Sequence, residues 1–121
     1  MRQESDGFVS SLCRRFAAHL AGKRTVYDEV AVELDAATPF EEALLATLRA
    51  VPWGEVITYG ELAALAGRPG AARAAGSFCA AGGLGLVVPY HRVVAANGLG
   101  GFGTSGVAFK RRLLAAEGVA L

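Results

Sequence analysis

Two helix-start signatures, Thr38-Pro39-Phe40-Glu41 and Thr58-Tyr59-Gly60-Glu61, constrain the fold of this chain more than any other feature. In each, the threonine hydroxyl can accept the backbone N–H three residues on while the glutamate reaches back to the threonine N–H. Pro39 falls at the first helical position, where a missing N–H costs nothing. The first box predicts a helix to about Ala50 with Phe40, Leu44, Leu45 and Leu48 on its buried face, broken by Pro52-Trp53-Gly54. Val56 and Ile57 read as a short extended piece. The second box opens a helix ended by Gly67, and Arg68-Pro69-Gly70 is a tight turn. Residues 71–81 then form a helix of small residues stopped by Gly82-Gly83. Two helices joined by so short a turn have the shape of a helix-turn-helix.

The flanking segments are read more simply. Asp6 is expected to cap a first helix running to about Leu20, with Phe8, Leu12, Phe16 and Leu20 as its apolar stripe and Gly22 as its stop. Residues 27–34 alternate, with Val30, Val32 and Leu34 facing one way, which predicts a strand. Ala36-Ala37 is a linker. Residues 84–88 read as a buried strand leading into Pro89, Asn97-Gly98 as a hairpin-type turn, residues 100–106 as a glycine-rich loop, and residues 107–117 as a last helix. The expected class is mixed α/β, with a helix-strand extension over 1–36 and a winged-helix-like helix-turn-helix domain over 37–121.

At 121 residues, 53% hydrophobic and 19% charged, the chain is expected to be one soluble domain. No apolar run approaches the roughly 20 residues of a membrane span, and the first residues lack the pattern of a signal peptide. Cys13 and Cys79, without metal-ligand spacing, suit a reducing cytoplasm. A net charge of +1 leaves any nucleic-acid footprint to local cations: Arg68, Arg73, Arg92, Lys110, Arg111 and Arg112. Lys110-Arg111-Arg112 reads first as a solvated helix face. In the third helix, Ala72, Arg73, Ala74, Ala75, Gly76 and Ser77 support two readings. Small side chains would let the backbone approach a nucleic-acid groove with Arg73 as the one long reach, or they would pack the helix tightly against a neighbour.

Pro89-Tyr90-His91-Arg92-Val93 resembles the Pro-Cys-His-Arg-Val motif of the O6-alkylguanine-DNA alkyltransferases, with tyrosine in place of the acceptor cysteine. The runs at 38–40, 51–56, 58–63, 72–76 and 113–118 are similar to further motifs of that family, in order and at its spacing. The resemblance implies that Arg73 is the arginine finger entering from the minor groove and that Tyr59 helps rotate the target nucleotide out. It places Ala72, Ala74, Gly76 and Ser77 along the DNA, and Val88, Pro89, Tyr90, Arg92, Phe102 and Ser105 around the base. His91 and Glu117 match the family's base and orienting carboxylate, left as a remnant relay.

Two departures set this chain apart within the resemblance. Tyr90 is a phenol of ordinary pKa about 10, a poor nucleophile for dealkylation, so the chain resembles the alkyltransferase-like proteins that bind alkylated guanine without repairing it. Gly82-Gly83 stands where the family has Asn-Pro. The implied function is non-catalytic recognition of O6-alkylguanine in double-stranded DNA, flagging lesions for nucleotide excision repair. Neither cofactor nor metal is implied, and a cytoplasmic, nucleoid-associated monomer is expected. The alternative within the enzyme class is an alkyltransferase using Cys79, which lies two turns along the recognition helix from Arg73. A third reading is a degenerate domain that binds a protein partner.

Overall fold

A computed structural model describes residues 2–82, 86–100 and 106–120, with side chains from Gly7 onward. Helix α1 (Arg2–Leu20) is followed by an irregular segment, then α2 (Pro39–Arg49), β1 (Ile57–Thr58), α3 (Tyr59–Leu65) and α4 (Ala72–Ala81). A single 3-10 turn (Tyr90–Arg92) leads into β2 (Val93–Val94), and α5 (Val107–Ala116) closes the described chain. The two strands pair in parallel, Ile57 with Val93 and Thr58 with Val94. Mixed α/β is the architecture expected.

Both capping boxes form. Glu41 N–H donates to the Thr38 hydroxyl at 3.2 Å and Thr38 N–H to Glu41 Oε1 at 3.0 Å; the Thr58–Glu61 pair repeats this at 3.1 and 2.8 Å. Phe40, Leu44, Leu45 and Leu48 are buried, as their spacing requires. They meet Leu62 and Ala63 of α3, Ala75 and Cys79 of α4, Val93 and Leu113 in one core. Small residues on facing sides let α3 and α4 lie close together.

Four expectations are corrected. Helix α1 begins at Arg2, so Asp6 lies inside it and does not cap it; Gln3 and Glu4 are themselves good helix formers. The stripe does not hold over its whole length. Phe8 is 50% and Leu20 37% exposed, while Leu12 and Phe16 are partly buried and His19 is completely so. Strict four-residue spacing drifts about 40° per step around a 3.6-residue helix, so Phe8 and Leu20 end up roughly 120° apart.

Residues 27–34 form no strand. Tyr27 and Val30 are buried, and Val32 and Leu34 pack against the core, so the alternation reports one-sided burial without a partner strand. The backbone there turns instead: Val30 N–H donates to Tyr27 O at 2.9 Å, an oxygen that also accepts from Arg49 Nη2. Residues 86–88 likewise bend, with Leu86 and Val88 buried but unpaired in any sheet; 84 and 85 lie outside the described residues. Asn97-Gly98 does turn the chain, as an antiparallel bridge from Ala95 to Gly98 shows.

Candidate nucleic-acid interface

Helix α4 divides into two faces. Ala75 and Cys79 are buried against the core, whereas Arg73, Ala74 and Ser77 are exposed and Ala72 and Gly76 half-buried. Arg73 makes no hydrogen bond or ion pair with any described residue. The tight-packing reading holds for the buried face, and the other face presents Arg73 to solvent. Arg68, in the turn before α4, is taken up over the Phe40 ring at 4.8 Å.

Tyr59 is the first residue of α3, placed there by the Thr58 cap. Its half-buried ring lies against Gly76 of α4 and against Gly100. A Cβ added at Gly100 would come within 3.0 Å of Tyr59 Cε2, and φ there is +71°. Lys110 Nζ sits 3.4 Å from the Tyr59 hydroxyl and 5.6 Å from its ring centroid. This lysine is fully buried, which corrects the solvated-face reading of 110–112; only Arg111 and Arg112 are exposed. Burial pulls its ammonium down to about 8, a fall that proximity to Cys79 opposes. Lys110 is three and four residues before buried Leu113 and Leu114, so its core-facing position was visible in helical spacing but hidden by the basic run around it.

Tyr90 opens the 3-10 turn, with its ring 7% exposed. It packs 6.2 Å from the Phe78 ring and directly over Gly82, and burial pushes its phenol up. Its hydroxyl makes no hydrogen bond among the described residues, yet it is not fully enclosed. Burial likewise raises the Tyr59 phenol, and nearby Cys79 adds to the rise at both tyrosines. Burial lifts the Cys79 thiol to about 12, against the partial opposition of Lys110. One largely buried region thus gathers Tyr59, Cys79, Gly82, Tyr90 and Lys110 from four separate segments. Val88 and Pro89 are buried beside it in sequence; Phe102 and Ser105 lie outside the described residues. A cleft of about 290 Å³ lined by Arg24, Arg49, Trp53, Pro89 and Arg92 takes no residue from α3 or α4.

The next two residues of the turn face a different environment. His91 Nε2 is 2.6 Å and His19 Nε2 2.7 Å from Glu117 Oε2, and Arg92 donates from Nε to Oε1 at 2.8 Å and from Nη2 to Oε2 at 2.9 Å. Arg92 Nη1 donates to Val51 O at 2.8 Å. The resemblance places Arg92 with the base pocket; the structure ties its guanidinium into this cluster. Burial alone would raise the Glu117 carboxyl, but the hydrogen bonds from His19, His91 and Arg92 outweigh it and hold the group far below the carboxylate range.

Burial pulls His91 below the usual imidazole value, more than its bond to Glu117 restores. His91 is therefore neutral, with its proton on Nε2 and an acceptor lone pair on Nδ1, which is buried and without a partner among the described residues. The other ring nitrogen of His19, Nδ1, lies 3.0 Å from the Tyr27 hydroxyl. Burial lifts that phenol to about 12, so it keeps its proton. The Glu117 carboxylate and the Arg92 guanidinium are thus paired through two hydrogen bonds inside the cluster. His19, His91 and Glu117 also offer ligand atoms within 4.8 Å of one another. A cation there would face Arg92 across a carboxylate whose oxygens are already engaged, so the fit is to hydrogen bonding. His19 is the residue that sequence reasoning passed over, although it continues the 12–16 face of α1 at i+7 and i+3.

Residues 39–119 match the family model described as 6-O-methylguanine DNA methyltransferase, DNA binding domain. The chain is 43% identical over 111 residues to a methylated-DNA–protein-cysteine methyltransferase of Salmonella typhimurium, covering 91% of this chain and 64% of the relative. Against the protein of that name from Mycobacterium tuberculosis it is 40% identical over 113 residues, 92% of this chain and 66% of that one. A crystal structure of Mycobacterium tuberculosis OGT in complex with DNA superposes with a TM-score of 0.75 at 38% identity, covering 88% of this chain and 64% of that one. S. pombe Atl1, in complex with damaged DNA containing O6-carboxymethylguanine, superposes at 0.58 and 27% identity, covering 74% and 82%. The chain thus spans a little under two thirds of the first curated relative it matches. With the family model spanning both capped helices, α4, the 3-10 turn and Glu117, this chain belongs to the 6-O-methylguanine DNA methyltransferase family through its DNA-binding domain.

Proposed function

We propose that this protein binds double-stranded DNA at O6-alkylguanine, flips the modified base out of the stack, and holds it without removing the alkyl group. The observation that carries this reading is Tyr90. In the Pro-Tyr-His-Arg-Val run it stands where the family's motif has the acceptor cysteine, and burial keeps its phenol protonated at neutral pH. A protonated phenol is a hydrogen-bond donor and an aromatic wall, not a nucleophile. The neutral imidazole of His91 has no thiol beside it to deprotonate, and its Nε2 bond to Glu117 serves the buried cluster.

DNA engagement in this reading runs through α4, whose exposed Arg73 is the wedge and whose small neighbours admit the backbone. Next to that helix, Tyr59 packs between Gly76 of α4 and the buried Lys110 of α5. Flipping costs a few kcal/mol of stacking and pairing, which the wedge and the base cavity must jointly offset. Held lesions would then be handed to nucleotide excision repair in the cytoplasm. The likeness to Atl1 bound to damaged DNA supports this reading.

Titration against duplexes differing only in one O6-alkylguanine, at fixed salt, tests it. Lesion preference that survives rising salt is expected, since phosphate contacts alone give strongly salt-dependent affinity without preference. Equal affinity for damaged and undamaged duplex sinks the proposal. Arg73→Ala should weaken lesion binding by about 1–3 kcal/mol while leaving the melting temperature unchanged, because the side chain is exposed and has no partner among the described residues.

A second reading, alkyl transfer to Cys79, is favoured by one observation: the fold sets Lys110 where its charge lowers the thiol. Burial wins that contest, leaving the sulfur protonated. Incubation with duplex carrying a labelled O6-methyl separates the two. Label retained on the protein and lost in Cys79→Ala would establish the enzyme.

A further inference from the structure

Gly82 is a glycine for which the backbone supplies no reason. It caps α4 with φ −74° and ψ −17°, ordinary helical angles, and donates its N–H to Cys79 O at 3.2 Å. Alanine would serve better in such a conformation. The turn glycines before α4 are the reverse case: Gly67 and Gly70 have φ of +103° and +89°, with nothing within 4 Å of an added Cβ. At Gly82 the angle is free and the space is not. A Cβ there would lie 2.6 Å from Tyr90 Cε2 and nearer still to Cζ and Cε1, all atoms of one rigid ring. That ring cannot yield easily, because it is 7% exposed and backed by Phe78.

We infer that Gly82 is a positioning residue for Tyr90: the bare Cα at the end of α4 is the seat that fixes the tyrosine ring, and with it the hydroxyl that meets the alkylated base. The inference deepens the proposed lesion recognition and, in its functional half, rests on it. The two departures from the family pattern at 82 and 90 are then one steric change. A side chain at 82 displaces the ring from the end of α4 and so from its place beside Phe78. Substituting at 82 therefore acts on lesion preference only while a ring stands at 90. Loss of the hydroxyl alone leaves the coupling intact, since the crowding involves ring carbons.

A double-mutant cycle decides it. Gly82→Ala is made in the native chain, in Tyr90→Phe and in Tyr90→Ala, and each protein is read by thermal unfolding and by the ratio of affinities for undamaged and O6-methylguanine duplex. The expected result is a melting temperature several degrees lower in the first two backgrounds and unchanged or raised in Tyr90→Ala. Lesion preference in the native background should fall by about tenfold, within the range for contacting pairs. An equal effect in all three backgrounds overturns the inference. If Gly82→Ala fails to fold, recovery of the fold in Gly82→Ala/Tyr90→Ala supports the coupling, and failure of that double variant overturns it. Should the native chain show no lesion preference, the proposed function falls, and with it the functional half of this inference; the thermal cycle still judges the steric pairing alone. Additive melting shifts in a chain that does prefer lesions refute only the pairing.

Discussion

Tyr90 and His91 are adjacent in sequence and belong to opposite kinds of site. The 3-10 turn sends His91 and Arg92 into the cluster with Glu117 and His19, where the carboxylate oxygens are filled. It sends Tyr90 to the end of α4, among Gly82, Phe78 and Cys79, where the hydroxyl has no partner among the described residues. The first region joins α1, the turn, the end of α2 and the end of α5, and is built to stay as it is. The second collects titratable groups that the fold leaves perturbed: a lysine held near 8, a thiol near 12 and two raised phenols. Groups kept away from their ordinary ionisation cluster where a protein meets a ligand. His91, Arg92 and Glu117 thus form a structural clamp, while the neighbouring region, in the proposed reading, holds the groups that meet a flipped base.

The largest effect should come from breaking the clamp. Glu117→Gln removes the only anion opposite Arg92 among the described residues, and loss of one partner of a buried pair costs about 3–5 kcal/mol. Thermal or urea unfolding should show this, and a change under 1 kcal/mol would mean the cluster is not a clamp. The same groups set the acid limb. His91, held below its ordinary 6.5, is disfavoured as a cation in the folded state, so stability falls as pH drops from about 6.5 toward its folded value. Glu117, held below its ordinary 4.5, contributes stability that is complete above that value and is lost as pH falls beneath it. In Glu117→Gln the second loss should vanish.

Lys110 sharpens the comparison from the other side. Its ammonium is disfavoured when folded, so the penalty is complete below about 8 and is relieved as pH rises from there to 10.5, the unfolded value. The native chain should therefore gain unfolding free energy relative to Lys110→Met across that window, while ionisation of the unfolded Cys79 thiol above about 9 lowers the stability of both. An identical alkaline profile in both proteins would show that the lysine is not strained by its site.

A smaller effect is expected at the α3 cap. Thr58→Ala should cost about 1 kcal/mol of stability, the usual worth of an N-cap hydroxyl. Because Tyr59 is the first residue after that cap, lesion affinity should fall with it; Thr38→Ala, remote from the interface, should cost similar stability and leave binding alone. Equal binding losses in the two variants would show that the cap does not position Tyr59.

Much of this architecture was legible locally. The boxes at 38–41 and 58–61, the apolar face of α2 and the turn at 68–70 are signals carried within a few residues, and each formed where its chemistry placed it. Reading failed where burial came without a partner or a charge went inward. Residues 27–34 alternate because one side meets the core, and no ladder follows. Lys110 hid in a basic run, and His19 sat at the edge of a stripe whose strict four-residue spacing pointed elsewhere.

Caps, turns and apolar periodicity are short-range matters, settled by dihedral preference and by N–H groups that need an acceptor nearby. The amino-acid order alone therefore determined the helices around the recognition turn, the family motifs they carry, and the presence of a phenol beside an imidazole at 90 and 91. Only the packed structure decided that His19 from one end of the chain would share Glu117 with His91, that Lys110 would come to rest under Tyr59, and that Gly82 would clear room for a ring eight residues on. Those outcomes depend on which side chains meet across the core, where burial and exclusion of volume act between residues that no local pattern connects.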